Sequence, residues 1–383
     1  MIKLLTIIGA RPQIIKAAAL SRAIKNKFSN QISEVIVHTG QHYDENMSQI
    51  FFDELQIPVP DYNLNSGSGM HGKQTASMIT GIEEILLKEK PNGIVLYGDT
   101  NSTLAGAIAA SKIHVPVIHI EAGLRSFNKA MPEEINRIMC DHVSTFLFSP
   151  TQAGYKNLLK EGFPENNKAP YSFNNPKIYH CGDVMYDNSL YFSEVAEQKT
   201  RVLDDLGLKN TPFVLATIHR NNNTDEPERL NALFRALNDI ATENKIKIIL
   251  PLHPRTGKLL PINLHADTYK KTSENPYIKL VPPVSFLEII ALEKNASLVI
   301  TDSGGVQKEA FFFKKPCIIL RSETEWIELV NCGAAKITDA DEAKIKQAYH
   351  YFKTQKGLEF PPLFGDGKAA EFICSELVKY LNN

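Results

Sequence analysis

Apolar runs that end on glycine or a charged residue, each followed by a helix signal, recur along the first half of the chain. They are KLLTIIG before Pro12, EVIVHTG before a helix around Ile79 to Leu87, GIVLYGD before Thr100 and PVIHIEAG before Pro132. A strand that is apolar at nearly every position must be covered on both faces, which is the condition of a parallel sheet layered with helices. Parallel neighbours need helical crossovers, and in such sheets ligands gather beyond the carboxyl ends of the strands. Functional residues are therefore expected immediately after strands.

A second series follows a polar stretch from Glu165 to Lys177 that has no hydrophobic period: FVLATIH, KIKIILPLH, YIKLV, SLVITDS and PCIILR. With 383 residues there is length for two cores. The expected architecture is α/β, two Rossmann-like doubly wound domains facing across a cleft. The break places them at 1–177 and 178–383, with the last helix packing back on the first domain.

Charge narrows the partners. Lys and Arg number 42 against 43 Asp and Glu, a net charge of −1, so no global field draws nucleic acid or an anionic membrane, and any anion must be held locally. The run from Met1 to Gly9 is too short to span a bilayer and leads into a Gly-Ala-Arg-Pro turn, as a first strand does. Five widely spaced cysteines without a CxxC pair fit a reducing cytoplasm. His38 and His42 are four apart, but Thr39 and Gly40 break any helix there, so no metal site is expected. Gly67 to Gly72 matches GxGxxG, yet it follows the polar DYNLNS instead of a strand and reads as a loop.

The strand ends carry the chemistry. Arg11 and Lys16 flank a proline-started helix whose amino terminus favours anions, although a helix cap with two solvated cations has the same pattern. Asp99 follows GIVLYG and could be a simple helix N-cap. Glu121 follows PVIHI at the expected crevice mouth, where burial would raise its pKa and make it a usable acid or base. Glu133 and Arg137, four apart after Pro132, are open to a plain surface ion pair. Ser303, Gly304 and Gly305 stand between a strand and a helix and let backbone amides approach a diphosphate. Glu309 lies about one turn into that helix, placed for ribose hydroxyls or for solvent. His219 and His253 each follow an apolar strand, where a donating imidazole suits a phosphate.

Taken together, GARPQIIK, HTGQHYDENM, YGDTNSTLAG, HIEAGLRSFNKAMPEEINR, ATIHR, LPLHPRT and TDSGGVQKEAFFFKKPC resemble, in order, the non-hydrolysing UDP-N-acetylglucosamine 2-epimerase family. The resemblance implies a glycosyltransferase-B-like fold, no cofactor, no metal, a UDP-2-acetamido-hexose held between the domains, and a cytoplasmic homodimer. It makes Asp99, Glu121 and Glu133 the acid/base carboxylates and His219 a histidine needed for activity. Arg11, His219, Ser303 and Gly304 would hold the diphosphate, Glu309 the ribose, and Lys16 and Arg137 fall on further active-site positions; His253 and Gly305 are counted with the UDP-binding residues. Gln41, His42 and Gln74 match positions that bind an activating UDP-N-acetylglucosamine in some members. EAFFFKKPC, TEWIELVNCG and HPRT lie nearer the branch acting on UDP-2,3-diacetamido-2,3-dideoxyglucuronic acid, a route to O-antigen and related lipopolysaccharide. The family's HRxEN pattern reads here as His219-Arg220-Asn221-Asn222-Asn223, with Asn222 in place of the glutamate. A hydrolysing epimerase or a glycosyltransferase of the same fold is the alternative.

Overall fold

The computed structural model describes residues 1–40, 58–67 and 69–381. The chain forms two compact units, Met1–Leu190 with Pro362–Asn383, and Tyr191–Pro361.

The first unit is built on a seven-stranded sheet. Its strands are β1 (Ile2–Ile8), β2 (Ile32–His38), β3 (Tyr62–Asn63), β4 (Gly93–Tyr97), β5 (Val117–Ile120), β6 (Phe146–Ser149) and β7 (Lys177–His180). They lie in the order β3-β2-β1-β4-β5-β6-β7, every pairing parallel. The apolar runs form strands because both faces are covered: Leu4, Leu5, Ile7, Ile94, Val95 and Leu96 are all fully buried. The helix Asn101–Lys112 closes on β4 through small residues. A Cβ added at Gly106 would stand 2.5 Å from Leu96 Cδ2, so glycine is what lets the helix lie this close. A larger residue would cost roughly 1–3 kcal/mol in overpacking.

The second unit has six parallel strands, β8 (Phe213–Thr217), β9 (Lys247–Pro251), β10 (Ile278–Val281), β11 (Leu298–Thr301), β12 (Cys317–Ile319) and β13 (Ala335–Ile337), in the order β10-β9-β8-β11-β12-β13. Strand order reverses between β1 and β4 in the first unit and between β8 and β11 in the second. Such reversals open a crevice at the carboxyl ends of the two diverging strands, the place where doubly wound sheets bind ligands.

The division of the chain differs from the break read at residue 177. β7 begins at Lys177 and pairs with β6, so it completes the first sheet, and the changeover falls at Leu190 within the helix Val184–Lys199. The polar stretch before β7 is a surface excursion inside the first unit. The helix Ala369–Leu381 also belongs to that unit: its first amides, Ala369 and Ala370, donate to Asp187 at 3.1 and 2.8 Å, and Glu371 pairs with Lys27 at 2.6 Å. No described helix is long and apolar enough to cross a membrane.

Candidate active site

At the reversal in the first unit, the turn after β1 is organised by a buried glutamine. Gln13 accepts from the amides of Gly9 and Ala10 at 3.0 and 3.2 Å and donates to Tyr97 O and Thr103 Oγ1 at 2.9 and 3.0 Å. One side chain thereby caps the helix Arg11–Ala23, whose N-cap Ala10 has no capping group, and ties β1 to the end of β4. Arg11 is exposed at the first position of that helix.

β4 and β5 pair in register, Tyr97 opposite Ile120, so Asp99 and Glu121 leave the sheet side by side. Glu121 is 8% exposed, sits at φ +75°, and is ion-paired with Lys16 from the first turns of the β1 helix. Positive φ in a non-glycine residue is strained and persists where the surroundings over-determine it, commonly at functional sites. Gly98, at φ +62°, lies directly beneath the pair, for a Cβ there would be 3.2 Å from both Glu121 Oε2 and Lys16 Nζ.

Asp99 is not the N-cap that the sequence allowed. Thr100 caps the helix Asn101–Lys112 by accepting from the Thr103 amide, which leaves the Asp99 carboxylate to pair with Arg137. Arg137 in turn reaches Glu134 at 3.0 Å, so in place of the i,i+4 pair with Glu133 that the spacing allowed it bridges Asp99 and Glu134. Glu134 is 1% exposed and accepts the Ser126 and Phe127 amides, both at 2.9 Å, fixing the loop before its own helix, Pro132–His142. Glu133 is exposed on the same first turn.

Behind these groups lies His119, fully buried in β5. Its Nδ1 is 2.6 Å from Asp141 Oδ1 and its Nε2 2.8 Å from Gly98 O. Asp141, also fully buried, holds Arg125 at 2.8 Å and accepts the Gly123 amide at 3.0 Å. Gln74 donates to Gly67 O at 2.6 Å and accepts from Asn101 at 2.9 Å, knitting the helix His71–Glu89 to the helix after β4. Gln41 and His42 lie outside the described residues.

The second unit repeats the plan with different groups. Asp302, fully buried just past β11, gathers the end of β8. It accepts the amides of His219 and Arg220, each at 3.0 Å, and Asn223 Nδ2 at 3.2 Å, and lies 3.1 Å from His219 Nδ1. Burial pushes this carboxyl up, but the His219 ring, the Arg220 amide and Asn223 outweigh it and hold its pKa below the ordinary value. Ser303 N-caps the helix Gly304–Phe312, and Trp326 Nε1 donates to Gly304 O at 3.0 Å. Gly305 is exposed, with nothing nearer its Cβ direction than Ser303 Oγ at 3.8 Å. His253 heads the helix Pro254–Asn263, its ring centroid 6.5 Å from that of His219. Glu309 is half-buried beside Glu293, a fully buried carboxyl that desolvation and then the neighbouring Glu309 push well above its usual range. Among the described residues no three His, Cys, Asp or Glu side chains gather as a metal would require.

Sequence reasoning misses Gln13, His119, Glu134, Asp141 and Asp302, while Asn223 stands at the asparagine of the HRxEN pattern. His119 was visible as the one polar break in PVIHI, and Asp302 as the first acid after SLVIT. Nothing in the sequence marks Gln13, Glu134 or Asp141.

Each unit thus gathers polar groups at a sheet reversal, carboxylates with cations in one and a glycine-rich helix start in the other. A family model described as UDP-N-acetylglucosamine 2-epimerase matches residues 24–378. A UDP-2,3-diacetamido-2,3-dideoxy-D-glucuronate 2-epimerase of Pseudomonas aeruginosa is 48% identical over 98% of this chain and 99% of its own length. A UDP-N-acetylglucosamine 2-epimerase of Methanocaldococcus jannaschii is 43% identical over 97% of each chain. The crystal structure of the M. jannaschii enzyme in complex with UDP-GlcNAc and UDP superposes with a TM-score of 0.82 at 42% identity, covering 98% of this chain and 99% of that one. The chain belongs to the UDP-N-acetylglucosamine 2-epimerase family. It is an isomerase with the glycosyltransferase-B-like α/β fold of those structures, and the resemblance read from its motifs is borne out.

Proposed function

We propose that the protein inverts C2 of a UDP-2-acetamido sugar without hydrolysing it, acting on UDP-2,3-diacetamido-2,3-dideoxy-D-glucuronate in preference to UDP-N-acetylglucosamine. The observation that carries the reading is the pair of cation-held carboxylates at adjacent strand ends, Asp99 with Arg137 and Glu121 with Lys16. The preference between substrates is supported by the 48% identity to the P. aeruginosa enzyme.

In this reading a carboxylate removes the C2 proton, its electron pair forms a C1–C2 double bond, and the C1–oxygen bond to UDP breaks. The products are a 2-acetamidoglucal and UDP. UDP then adds back to C1 while a proton is delivered to the opposite face of C2, so no water is consumed. Asp99 and Glu121 are the proton-handling pair, with Glu133 the third carboxylate, and Lys16 and Arg137 hold their charge. The departing diphosphate is met by the amides at Gly304 and Gly305, with the side chains of Ser303, His219, His253 and Arg11 as donors. Glu309 takes the ribose hydroxyls. We extend the proposal to a cytoplasmic homodimer supplying a surface polysaccharide such as O-antigen.

Proton NMR in deuterated water with each UDP sugar tests this. Deuterium entering C2 of a manno product that is still attached to UDP is the expected result, faster with the diacetamidoglucuronate. Free UDP accumulating with reducing sugar would move the protein to the hydrolysing class, and no exchange with either sugar would sink the reading.

A further inference from the structure

β5 is buried on both faces, with Val117 and Ile118 fully buried and Ile120 nearly so, yet its third residue is a histidine with no exposure at all. An imidazole so placed needs partners for both nitrogens, and the partners decide its state. Nε2 lies 2.8 Å from the carbonyl oxygen of Gly98, which can only accept, so Nε2 carries a proton. Nδ1 lies 2.6 Å from Asp141 Oδ1. A protonated Asp141 could donate there from Oδ1 to a neutral ring, but a guanidinium and an amide donor on its other oxygen favour the ionised carboxylate. Arg125 stands 2.8 Å from Oδ2, and the Gly123 amide donates to the same oxygen at 3.0 Å. Asp141 is therefore ionised, and Nδ1 carries a proton too. Both nitrogens donate, and a ring with two N–H groups is a cation.

Its position gives this cation a use. Gly98 is the residue before Asp99 and the floor beneath the Lys16–Glu121 pair, and both its peptide groups are tied to β5: its amide donates to Ile120 O at 3.1 Å and its carbonyl accepts from His119. On the other side Asp141 holds Gly123, two residues past Glu121. The ring thus sits at the crossing of the two strand ends that deliver the proposed acid/base carboxylates. We propose that His119 is a permanently protonated positioning residue, an imidazolium that fixes the Gly98–Asp99 and Glu121–Gly123 turns and lends them a buried positive charge. The positioning part rests on the proposed roles of Asp99 and Glu121; the charge does not.

The surroundings agree with a charged ring. Burial alone would drive the proton off, but Cys140 and Asp141 on the helix Pro132–His142 more than offset it, and the ring's pKa stands well above the ordinary histidine value. Asp141 is held low by the same ring and by Arg125, against the upward push of its own burial.

Two measurements test the proposal. In the intact, substrate-free protein, side-chain nitrogen NMR of His119 is expected to show both ring nitrogens protonated without titration from about pH 6 to about pH 9, where an ordinary histidine loses its proton near 6.5. A neutral ring at neutral pH overturns the proposal whatever the protein catalyses. The second uses His119→Gln, which keeps a donor and loses the charge. We expect kcat down about 10- to 100-fold through misplaced carboxylates, UDP affinity held within about twofold, and the acidic limb of the kcat–pH profile moved up by about half a pH unit or more, because carboxylates that lose a buried cation protonate more readily. A merely structural role lowers kcat without moving that limb. A folded variant with both unchanged overturns the positioning role. If the variant fails to fold, the wild-type spectrum still decides the charge, and Asp141→Asn, which removes the counter-charge that the ring shares with Arg125, is expected to let the ring titrate and to shift the same limb; an unmoved limb there overturns the positioning role. If the protein turns over neither UDP sugar while the ring reads as an imidazolium, the functional reading fails and the assigned charge stands.

Discussion

At the sheet reversal of the first unit Lys16, His119, Arg125 and Arg137 each face a carboxylate, whereas at that of the second the helix capped by Ser303 begins on the backbone amides of Gly304 and Gly305, with one buried aspartate holding the histidine beside them. The same topology has been filled in two ways. Proton transfer needs carboxylates whose charge and position are held against fluctuation, which opposite charges in a low-dielectric setting provide. Anion binding needs donors that do not move and no side chain in the way, which a helix amino terminus with glycines provides. Substitutions that remove charge should therefore act on turnover in the first unit, and substitutions that add bulk should act on binding in the second.

The largest expected effect tests the first half of that contrast. Glu121→Gln keeps the shape and removes the base, and with it the charge partner of Lys16. We expect kcat to fall roughly 10²- to 10⁴-fold, with UDP binding by calorimetry changed by less than about threefold. Equal losses in turnover and UDP affinity would mean that Glu121 serves the nucleotide, and the division of labour between the two reversals would be wrong.

Buried charge in the first unit also does architectural work away from the site, and there it should oppose stability. Asp187 accepts the first two amides of the helix Ala369–Leu381, yet its burial raises its pKa to about 6, the amides of Ala370 and Ala369 only partly countering. For an acid raised above its unfolded value of about 3.9, the native state holds more protons than the unfolded chain between about pH 4 and 6, so stability falls as pH rises through that window. His38 in the same unit, held down to about 4 by burial, contributes the opposite slope. The difference between wild type and Asp187→Asn isolates the aspartate. Urea unfolding at matched pH values should show the wild type losing about 3 kcal/mol relative to the variant across the window. Parallel curves would mean that Asp187 is ionised throughout and that its two amides suffice to hold the charge.

How much of this was legible follows from what each feature depends on. The doubly wound fold was legible because full burial of parallel strands writes itself as continuous apolar runs: β1, β2, β4, β5, β8, β9 and β11 lie in the segments so read. β6, β7 and β13 were not, since four or three residues such as FLFS, KIYH and AKI carry too little pattern, and β7 moved the division of the chain with it. At the site, residues following strands were readable as candidates, and Asp99, Glu121, His219 and Ser303 do stand at the reversals. Orientation within a helix was less readable. In Pro132–His142 the apolar Ile135 and Met139 are exposed while Glu134, Asn136 and Asp141 are buried, so the usual amphipathic rule would turn the wrong face inward. Only the fold reveals that the polar face is needed, to meet Asp99, the Ser126–Phe127 loop and His119.

The smallest expected effect is the most selective, because two glycines that look alike in sequence differ in what surrounds them. Gly98 in the first unit has φ +62° and no room, its missing Cβ being 3.2 Å from Lys16 Nζ and Glu121 Oε2, so any side chain there strains the backbone and the ion pair together. Gly305 has neither constraint: its nearest neighbour is Ser303 Oγ at 3.8 Å, and it lies in the first turn of a helix that alanine favours. Gly305→Ala should leave the fold intact and even add roughly 0.5–1 kcal/mol to stability. A methyl group on the open side of that turn would hold a phosphate away from the amides, so UDP should bind about tenfold more weakly, near 1.4 kcal/mol, while kcat at saturating substrate stays close to wild type. A raised melting temperature with weakened UDP binding would establish that this glycine is kept for the ligand. Unchanged UDP affinity would mean that the diphosphate does not approach this helix, and the second half of the contrast would fall while the carboxylates of the first unit kept their roles.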